Sequence, residues 1–285
     1  MKNLTVVFMG SPEYSIPTLA SLVARFGHSQ VHVISNPDKA QGRGQKVAPN
    51  AVSAFAQHNQ LVLHQPTQKA ELIPILEAIK PDLVVVIAYG MIIPKVITDG
   101  YFCINLHASL LPAYRGASPI QSALLHGDTQ TGVTLIHMNE KMDEGDMLAI
   151  AKTPLLDTET YQSLHDKLSQ LSADLCMEFI QNQWSTQQIC AQAQDHQAAS
   201  YCQKIQTVDR ELTLNQSPLD WFYRIRAFSP KPAAFVIQNG HQIKIIDATW
   251  DGQQLSIKTV QAQGKKPVSY HDYCLGKPPI QIPKH

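Results

Sequence analysis

The sequence predicts an α/β protein: a doubly wound, Rossmann-like parallel sheet in the first domain, followed by a small β-barrel. Over residues 1–185, short apolar runs alternate with stretches whose apolar residues recur at helical spacing. The run at residues 83–87 is apolar at every position, which is typical of a central parallel strand. Beyond Tyr201 the pattern changes to short strand-like runs. We therefore expect a first domain at 1–185, a linker at 186–203 and a small β domain at 204–285.

The elements follow from the period of the apolar residues. We expect strands at residues 4–9, 31–34, 83–87, 101–107, 132–138, 234–237, 242–246 and 254–260, and helices at 13–25, 70–79, 160–182 and 218–228. The first strand turns into a helix through Gly10-Ser11-Pro12, where the glycines of the G-x-G-x-x-G fingerprint are missing. This departure disfavours a nicotinamide dinucleotide, and with it an oxidoreductase function.

Composition narrows the class of protein. No apolar run is long enough for a secretory signal or a membrane span. The 5 cysteines are odd in number and lack C-x-x-C spacing, which argues against disulfides and structural zinc. We therefore expect a soluble, cytoplasmic protein without a metal.

The charge is divided unevenly between the two halves of the chain. Residues 1–200 hold 12 Lys and Arg against 17 Asp and Glu, and residues 201–285 hold 11 against 6. A basic C-terminal part suits a polyanionic partner, although such a balance is also found on ordinary protein surfaces.

The segment from Cys103 to Pro112 carries the candidate catalytic pair. Asn105 and His107 are two residues apart near the end of a predicted strand, so their side chains project from the same face. Ligands bind at the carboxyl ends of strands in open α/β sheets. An amide donor beside an imidazole could hold and protonate the oxygen of a tetrahedral intermediate in acyl-type transfer. The alternative is a pair of polar groups that merely end a strand.

Two further segments carry runs of charge. An acidic turn follows the strand at 132–138, and such a run usually forms a solvated surface. The segment at 36–50 is long, rich in glycine and basic, with Lys39, Arg43 and Lys46. It is either a solvated surface loop or a flexible segment that contacts a phosphate backbone.

The run from Asn105 to Pro112, with Arg115-Gly116, resembles the signature of the folate-dependent formyltransferases. The Gly-Arg-Gly at 42–44, Tyr201 with Lys204, the element at 224–232 and Gly264-Lys265-Lys266-Pro267 are most similar to the branch of that family that acts on methionyl-tRNA. The resemblance covers nearly the whole chain. It implies transfer of the formyl group of 10-formyltetrahydrofolate to the α-amino group of methionyl initiator tRNA, in a monomer that uses no metal.

The resemblance also implies roles for particular residues. Asp143 is preferred over Asp146 because it precedes the turn glycine of the family's motif, although Met142 and Glu144 replace the family's usual neighbours. The catalytic residues would be Asn105, His107 and Asp143. The folate-binding residues would be Ala88, Tyr89, Gly90, Met91, Ser109, Leu110, Leu111 and Pro112. The tRNA-binding residues would be Lys39, Arg43, Lys46, Lys204, Lys265 and Lys266.

The C-terminal part departs from the family. Between Ile246 and Gly264 there is room for about one strand pair, so the OB-like barrel is expected to be shortened. Alternative functions are formyl transfer to a small amine, such as an amino-sugar nucleotide or glycinamide ribonucleotide, and folate or tRNA binding without catalysis.

Overall fold

The computed structural model describes residues 4–41 and 46–283. Within them the chain forms two compact units. The larger unit runs to Arg115 and includes residues 132–152 and 166–200, and the smaller one holds residues 116–131, 153–165 and the chain from Tyr201 onward. The domain boundaries expected from the sequence, at residues 185 and 203, remain a prediction.

The secondary structure alternates strands and helices through the first half of the chain. The strands are β1 Val6–Gly10, β2 Val31–Ile34, β3 Lys39–Gln41, β4 Lys46–Ala48, β5 Val62–His64, β6 Leu83–Ile87, β7 Cys103–His107, β8 Arg115–Gly116, β9 Gln130–His137, β10 Met147–Pro154, β11 Tyr201–Cys202, β12 Ala234–Gln238, β13 His241–Trp250, β14 Leu255–Ala262 and β15 Val268–Ser269. The helices are α1 Ile16–Phe26, α2 Ala51–His58, α3 Leu72–Ile79, α4 Lys95–Gly100, α5 Pro119–Leu125, α6 Tyr161–Phe179, α7 Pro218–Phe228 and α8 Tyr270–Gly276.

The central sheet has the strand order β10-β9-β7-β6-β1-β2-β5. The pairs β1–β2, β1–β6, β2–β5 and β6–β7 are parallel, and β7–β9 is antiparallel. From β1 the chain winds outward to β2 and β5, and then returns to β6 on the other side of β1. This reversal confirms the predicted doubly wound fold and places a topological switch point at the ends of β1 and β6, where such sheets bind ligands.

The switch point is built from tightly packed backbone. Every residue of β1 and β6 is buried, as expected for strands covered on both faces. At the last pair of the ladder, Gly10 lies opposite Ile87, and a Cβ on Gly10 would lie 2.9 Å from the Ile87 carbonyl oxygen. The glycine that ends the first strand therefore serves close packing, which explains its presence without a dinucleotide fingerprint.

Prolines shift the starts of two helices. The helix expected at 13–25 begins as a 3-10 turn, Glu13–Ser15, and becomes α-helical at Ile16, with Pro17 in the first turn. The helix expected at 70–79 is α-helical only from Leu72, so that Pro74 also lies in the first turn. Proline is tolerated there because the first-turn amides have no intrahelical partner.

The smaller unit contains a four-stranded antiparallel sheet of order β12-β13-β14-β15, which is the small β domain that the sequence predicts. The β13–β14 ladder changes register at Asp247. Helix α7 begins with a capping box between Ser217 and Asp220 and packs against α5 and β13. Among the described residues, no helix combines the length and apolar character needed to cross a membrane.

Candidate active site

Asn105 and His107 lie at the carboxyl end of β7, one strand away from the switch point. The parallel register pairs Val86 of β6 with Asn105 of β7. On the other side of β7, His107 lies opposite Thr134 of β9. The His107 side chain is 7% exposed. Strand β7 therefore places the Asn105 amide and the nearly buried His107 imidazole at the edge of the sheet where ligands bind in this fold.

Asp143 approaches this pair from the loop between β9 and β10. Its Oδ1 lies 3.4 Å from Nδ2 of Asn105 and 3.5 Å from Nδ1 of His107. Asp146, the other candidate carboxylate, is exposed. The structure thus brings Asn105, His107 and Asp143 together around one point. Both separations exceed a strong hydrogen bond, and catalytic contacts commonly tighten only when substrate is bound.

The hydrogen bonds of His107 define which nitrogen can carry the reactive proton. Nε2 lies 2.8 Å from the carbonyl oxygen of Tyr114, which can only accept, so Nε2 carries a hydrogen and donates it. Nδ1 then faces Asp143 as a donor only when the ring is doubly protonated. Nδ1 of His107 and the Asp143 carboxylate are therefore the two groups between which a proton can move.

Gly145 shapes the loop that carries Asp143. A Cβ at this position would lie 1.8 Å from the carbonyl oxygen of His137, a separation that no side chain can adopt. Asp143 itself has φ +57°, in the left-handed region that aspartate tolerates better than most residues. The glycine of the Asp-x-Gly motif is therefore required by close approach of two backbone segments.

The segment after His107 is held by Thr134. The Thr134 hydroxyl donates to the Ser109 carbonyl oxygen at 2.7 Å and accepts from the Leu111 amide at 3.0 Å. Of the predicted folate-binding residues here, Ser109 and Leu111 are buried, and Leu110 and Pro112 are half-buried. The Ser109 hydroxyl donates to the Ala113 carbonyl oxygen at 2.6 Å, so it serves the shape of the loop.

The segment 88–91, also predicted to bind folate, offers mainly backbone to solvent. Ala88 and Gly90 are exposed and have positive φ, whereas Met91 packs against the core. Tyr89 is 2% exposed, and burial raises its pKa to about 12. Its carbonyl oxygen accepts from the side-chain amide of Asn36 at 2.5 Å. Recognition by backbone groups, as the family resemblance implies, suits this arrangement better than recognition by the Tyr89 ring.

The predicted tRNA-binding residues are divided between the two units. Lys39 in the larger unit is exposed, and so are Lys204, Lys265 and Lys266 in the smaller one. Arg43 and the side chain of Lys46 lie outside the described residues.

Arginines of the smaller unit have structural contacts instead. Arg226 is buried, donates to the carbonyl oxygens of Glu159 and Leu156, and lies over the Phe222 ring. Burial lowers its pKa. Arg224 donates to the carbonyl oxygen of Asp209. The Arg-x-Arg of α7 therefore contributes to folding of this unit, and its charges are directed inward.

Sequence reasoning does not find Gln194 or Thr134, and it finds Arg115 only as part of the family signature. Gln194 bonds to the backbone on either side of Glu144, and Arg115 bonds to Gln194. Thr134 supports the Ser109–Leu111 loop. Gln194 lies in a Gln- and Ala-rich stretch whose composition is typical of a linker, so composition carries no signal for its contacts. Among the described residues, no group of three or more His, Cys, Asp or Glu side chains is arranged to hold a metal ion.

A doubly wound sheet with an amide, an imidazole and a carboxylate converging beside its switch point suits an enzyme of the acyl-transferring type. The model of the formyl transferase family matches residues 4–180, and the chain belongs to that family. A curated relative named methionyl-tRNA formyltransferase, from Hydrogenovibrio crunogenus, is 35% identical over 298 residues, which cover 95% of each chain.

Solved structures share the fold at lower sequence identity. Methionyl-tRNA formyltransferase from Clostridium thermocellum superposes with a TM-score of 0.62 at 16% identity, covering 91% of this chain and 98% of that one. HypX from Aquifex aeolicus in complex with tetrahydrofolic acid gives a TM-score of 0.69 at 15% identity. That match covers 99% of this chain and 49% of HypX, so the chain spans about half the length of HypX.

Proposed function

We propose that this protein transfers the formyl group of 10-formyltetrahydrofolate to the α-amino group of methionyl initiator tRNA, for the initiation of translation. The observation that carries this proposal is the convergence of Asn105 and His107 on one oxygen of Asp143. The name of the Hydrogenovibrio relative supports the acceptor, and the tetrahydrofolic acid bound to HypX supports a folate donor.

The hydrogen-bond donors of the site can stabilise the negative charge that develops on the formyl oxygen during transfer. The amine nitrogen attacks the formyl carbon, and the electron pair of the C=O bond moves to the oxygen. The Asn105 amide donates to this oxyanion without changing its own protonation, and the imidazolium of His107 adds a positive charge. Loss of one such donor commonly lowers the rate by roughly 10²–10³-fold, so this interaction supplies a large part of the expected catalysis.

The proton balance follows from the Asp143–His107 pair. Asp143 accepts the proton that the attacking amine loses, directly or through a water. His107 donates its Nδ1 proton to N10 of the folate as the bond between the formyl carbon and N10 breaks. The proton on Asp143 then passes to Nδ1 of His107, 3.5 Å away, and the starting pair is restored. The net change is one amine proton moved to N10, with no metal required.

The exposed lysines support a tRNA acceptor. Lys39, Lys204, Lys265 and Lys266 all present ammonium groups to solvent. Lys265 and Lys266 lie between β14 and β15, next to Gly264 with φ +72°. Exposed cations contact phosphates without reading sequence, and they make binding depend on salt. We place the protein, acting as a monomer, in the cytoplasm, where translation begins.

The test is transfer of labelled formyl from 10-formyltetrahydrofolate to methionyl initiator tRNA across a series of salt concentrations. An amino-sugar nucleotide and glycinamide ribonucleotide serve as alternative acceptors, and the His107→Ala variant serves as the inactive control. We expect transfer to the tRNA that falls steeply with salt. Transfer to a small amine in place of the tRNA would refute the acceptor, and folate binding without any transfer would refute the catalytic proposal.

A further inference from the structure

Gln194 makes a hydrogen bond with every donor and acceptor position of its side-chain amide. Nε2 donates to the carbonyl oxygens of Asp143 at 2.8 Å and Gly145 at 2.7 Å. Oε1 accepts from Nε of Arg115 at 3.0 Å and from its Nη2 at 2.7 Å. The residue is only 5% exposed. Because an amide offers two donors and two acceptor lone pairs, this side chain can satisfy both partners only in one orientation.

Arg115, which binds the oxygen of the Gln194 amide, is itself buried and held by several partners. It is 1% exposed, so its charge requires partners inside the protein. Besides contacting Gln194, Arg115 places Nη1 3.5 Å from the Glu144 carboxylate and Nη2 3.1 Å from Nδ1 of His196. The planar guanidinium thus contacts Gln194 along one edge and the Asp143 loop through Glu144. The loop is held both at its backbone and at a side chain.

The same short segment also orients His107. The carbonyl oxygen of Tyr114 accepts from Nε2 of His107 at 2.8 Å, and Tyr114 directly precedes Arg115. The Arg115 amide donates to the Ser200 carbonyl oxygen at 2.9 Å, and the Tyr114 amide donates to the Ser200 hydroxyl at 2.9 Å. Tyr114 and Arg115 are therefore both held by Ser200. Tyr114 contacts His107, and Arg115 contacts the Asp143 backbone through Gln194.

We propose that Gln194 and Arg115 are positioning residues that set the separation of Asp143 from His107. They touch none of the reacting atoms. They hold the left-handed backbone at Asp143, with φ +57°, so that its carboxylate faces Nδ1 of His107. This inference deepens the proposed function and rests on it, because the separation matters only if the pair exchanges a proton. A displacement of about 1 Å is enough to lower a rate by roughly 10²-fold.

The sharpest test is the Gln194→Glu variant. Glutamate keeps the two acceptors for Arg115 but replaces the donors to Asp143 and Gly145 with an oxygen. Gln194→Asn is the second variant, since it keeps the amide but is too short to reach both partners. Gln192→Ala is the matched control, because Gln192 is exposed and contacts Met147 only through backbone bonds at 2.8 and 2.9 Å.

We expect kcat for formyl transfer to fall by roughly 10²-fold in the Glu variant, with the KM for 10-formyltetrahydrofolate unchanged. The melting temperature should fall, because two buried carbonyl oxygens lose their donors, but the protein should remain folded at the assay temperature. Amide hydrogen exchange at residues 139–147 should become faster in both Gln194 variants and stay unchanged in Gln192→Ala. An intermediate loss of kcat is expected for Gln194→Asn.

Several results would overturn the proposal. An unchanged kcat in Gln194→Glu would do so, and so would a loss of kcat that follows a loss of folded protein in both variants. If the original protein itself transferred no formyl group, the proposed function would fail, and hydrogen exchange would still decide whether Gln194 holds the loop. Unchanged exchange at residues 139–147 would then refute the positioning role.

Discussion

Nε2 of His107 donates to the carbonyl oxygen of Tyr114 at 2.8 Å, and this single contact decides how the imidazole can act. With one nitrogen committed to a backbone acceptor, only Nδ1 remains to exchange a proton with Asp143 at 3.5 Å. Asn105, on the same strand face, contributes a donor that does not titrate. The geometry therefore gives each group its own role: the Asn105 amide donates a hydrogen bond, the His107 imidazole exchanges a proton, and the Asp143 carboxylate is its partner in that exchange.

The first prediction concerns this pair of residues. We expect Asn105→Ala and His107→Ala each to lower kcat by roughly two to three orders of magnitude, because each removes a donor to the developing charge. Formyl transfer and thermal unfolding would be measured together, with the exposed His58→Ala as control. Turnover near the original value, with the fold intact, would contradict the assigned roles.

Gly145→Ala should distort the Asp143 loop. The new Cβ would lie 1.8 Å from the His137 carbonyl oxygen, so one of the two backbone segments must move. We expect a fall in kcat at least as large as that for a displaced catalytic group, roughly 10²-fold. The control is Gly100→Ala, since a Cβ on Gly100 meets no atom within 4 Å and should leave kcat unchanged. Equal behaviour of the two variants in steady-state kinetics would refute this account of the motif.

Thr134→Val should loosen the segment that is predicted to bind folate. Valine has the same shape but offers no hydroxyl to the Ser109 carbonyl oxygen or the Leu111 amide. We expect unfolding free energy to fall by about 1–3 kcal/mol and the KM for 10-formyltetrahydrofolate to rise. Denaturant unfolding and kinetics would measure both effects.

Thr98→Val provides the matched control for Thr134→Val. The Thr98 hydroxyl makes one bond, to the Lys95 carbonyl oxygen, in a buried helix position. We expect a smaller loss of stability and no change in KM. A KM shift in Thr98→Val of the same size would mean that the Thr134 effect is not local.

His32 and His64 should make stability fall in mild acid. Their rings stack at 6.3 Å, and His32 Nδ1 and His64 Nε2 are buried with no hydrogen-bond partner among the described residues. Burial lowers both pKa values from 6.5, and the charge of His64 lowers that of His32 further. Below pH 6.5 these two histidines bind protons more readily in the unfolded chain than in the folded protein. Stability therefore declines as pH falls.

The His64→Gln variant tests this dependence, because glutamine does not titrate. We expect the unfolding free energy to vary less between about pH 7 and pH 5 than in the original protein, by urea titration at each pH. The exposed His58→Gln should retain the original dependence. A steeper decline in His64→Gln would reverse the sign of the proposed effect.

Replacing Lys265 and Lys266 together by alanine should weaken tRNA use and leave folate binding unchanged. Removal of one cation that binds a phosphate should reduce the slope of log affinity against log salt by roughly 1, so the double variant should lower this slope by up to about 2. Lys69→Ala, another exposed lysine, is the control. An unchanged salt slope in filter binding would remove these two residues from the tRNA surface.

Arg43→Ala should likewise weaken tRNA use.

The fold was largely predictable because strand period and apolar content act locally. The runs at residues 31–34 and 83–87 form β2 and β6 with the predicted bounds, and α7 spans the predicted 218–228. The local pattern predicted the bounds of a helix less well where a proline lies in its first turn or where the helix type changes at its end. The helix predicted at 160–182 is α-helical only to Phe179 and continues as a π-helical turn, Ile180–Trp184.

The sequence by itself determined the alternation of strands and helices, the Asn105–His107 spacing and the glycine before Asp146, because each depends on residues close together in the chain. Only the tertiary structure decided that Asp143 meets His107 and that Gln194, 51 residues beyond Asp143, holds its backbone. It also decided that Arg226 is directed inward and Lys265 outward. Such contacts join residues distant in sequence, and burial depends on what packs around a side chain, so neither leaves a periodic pattern along the chain.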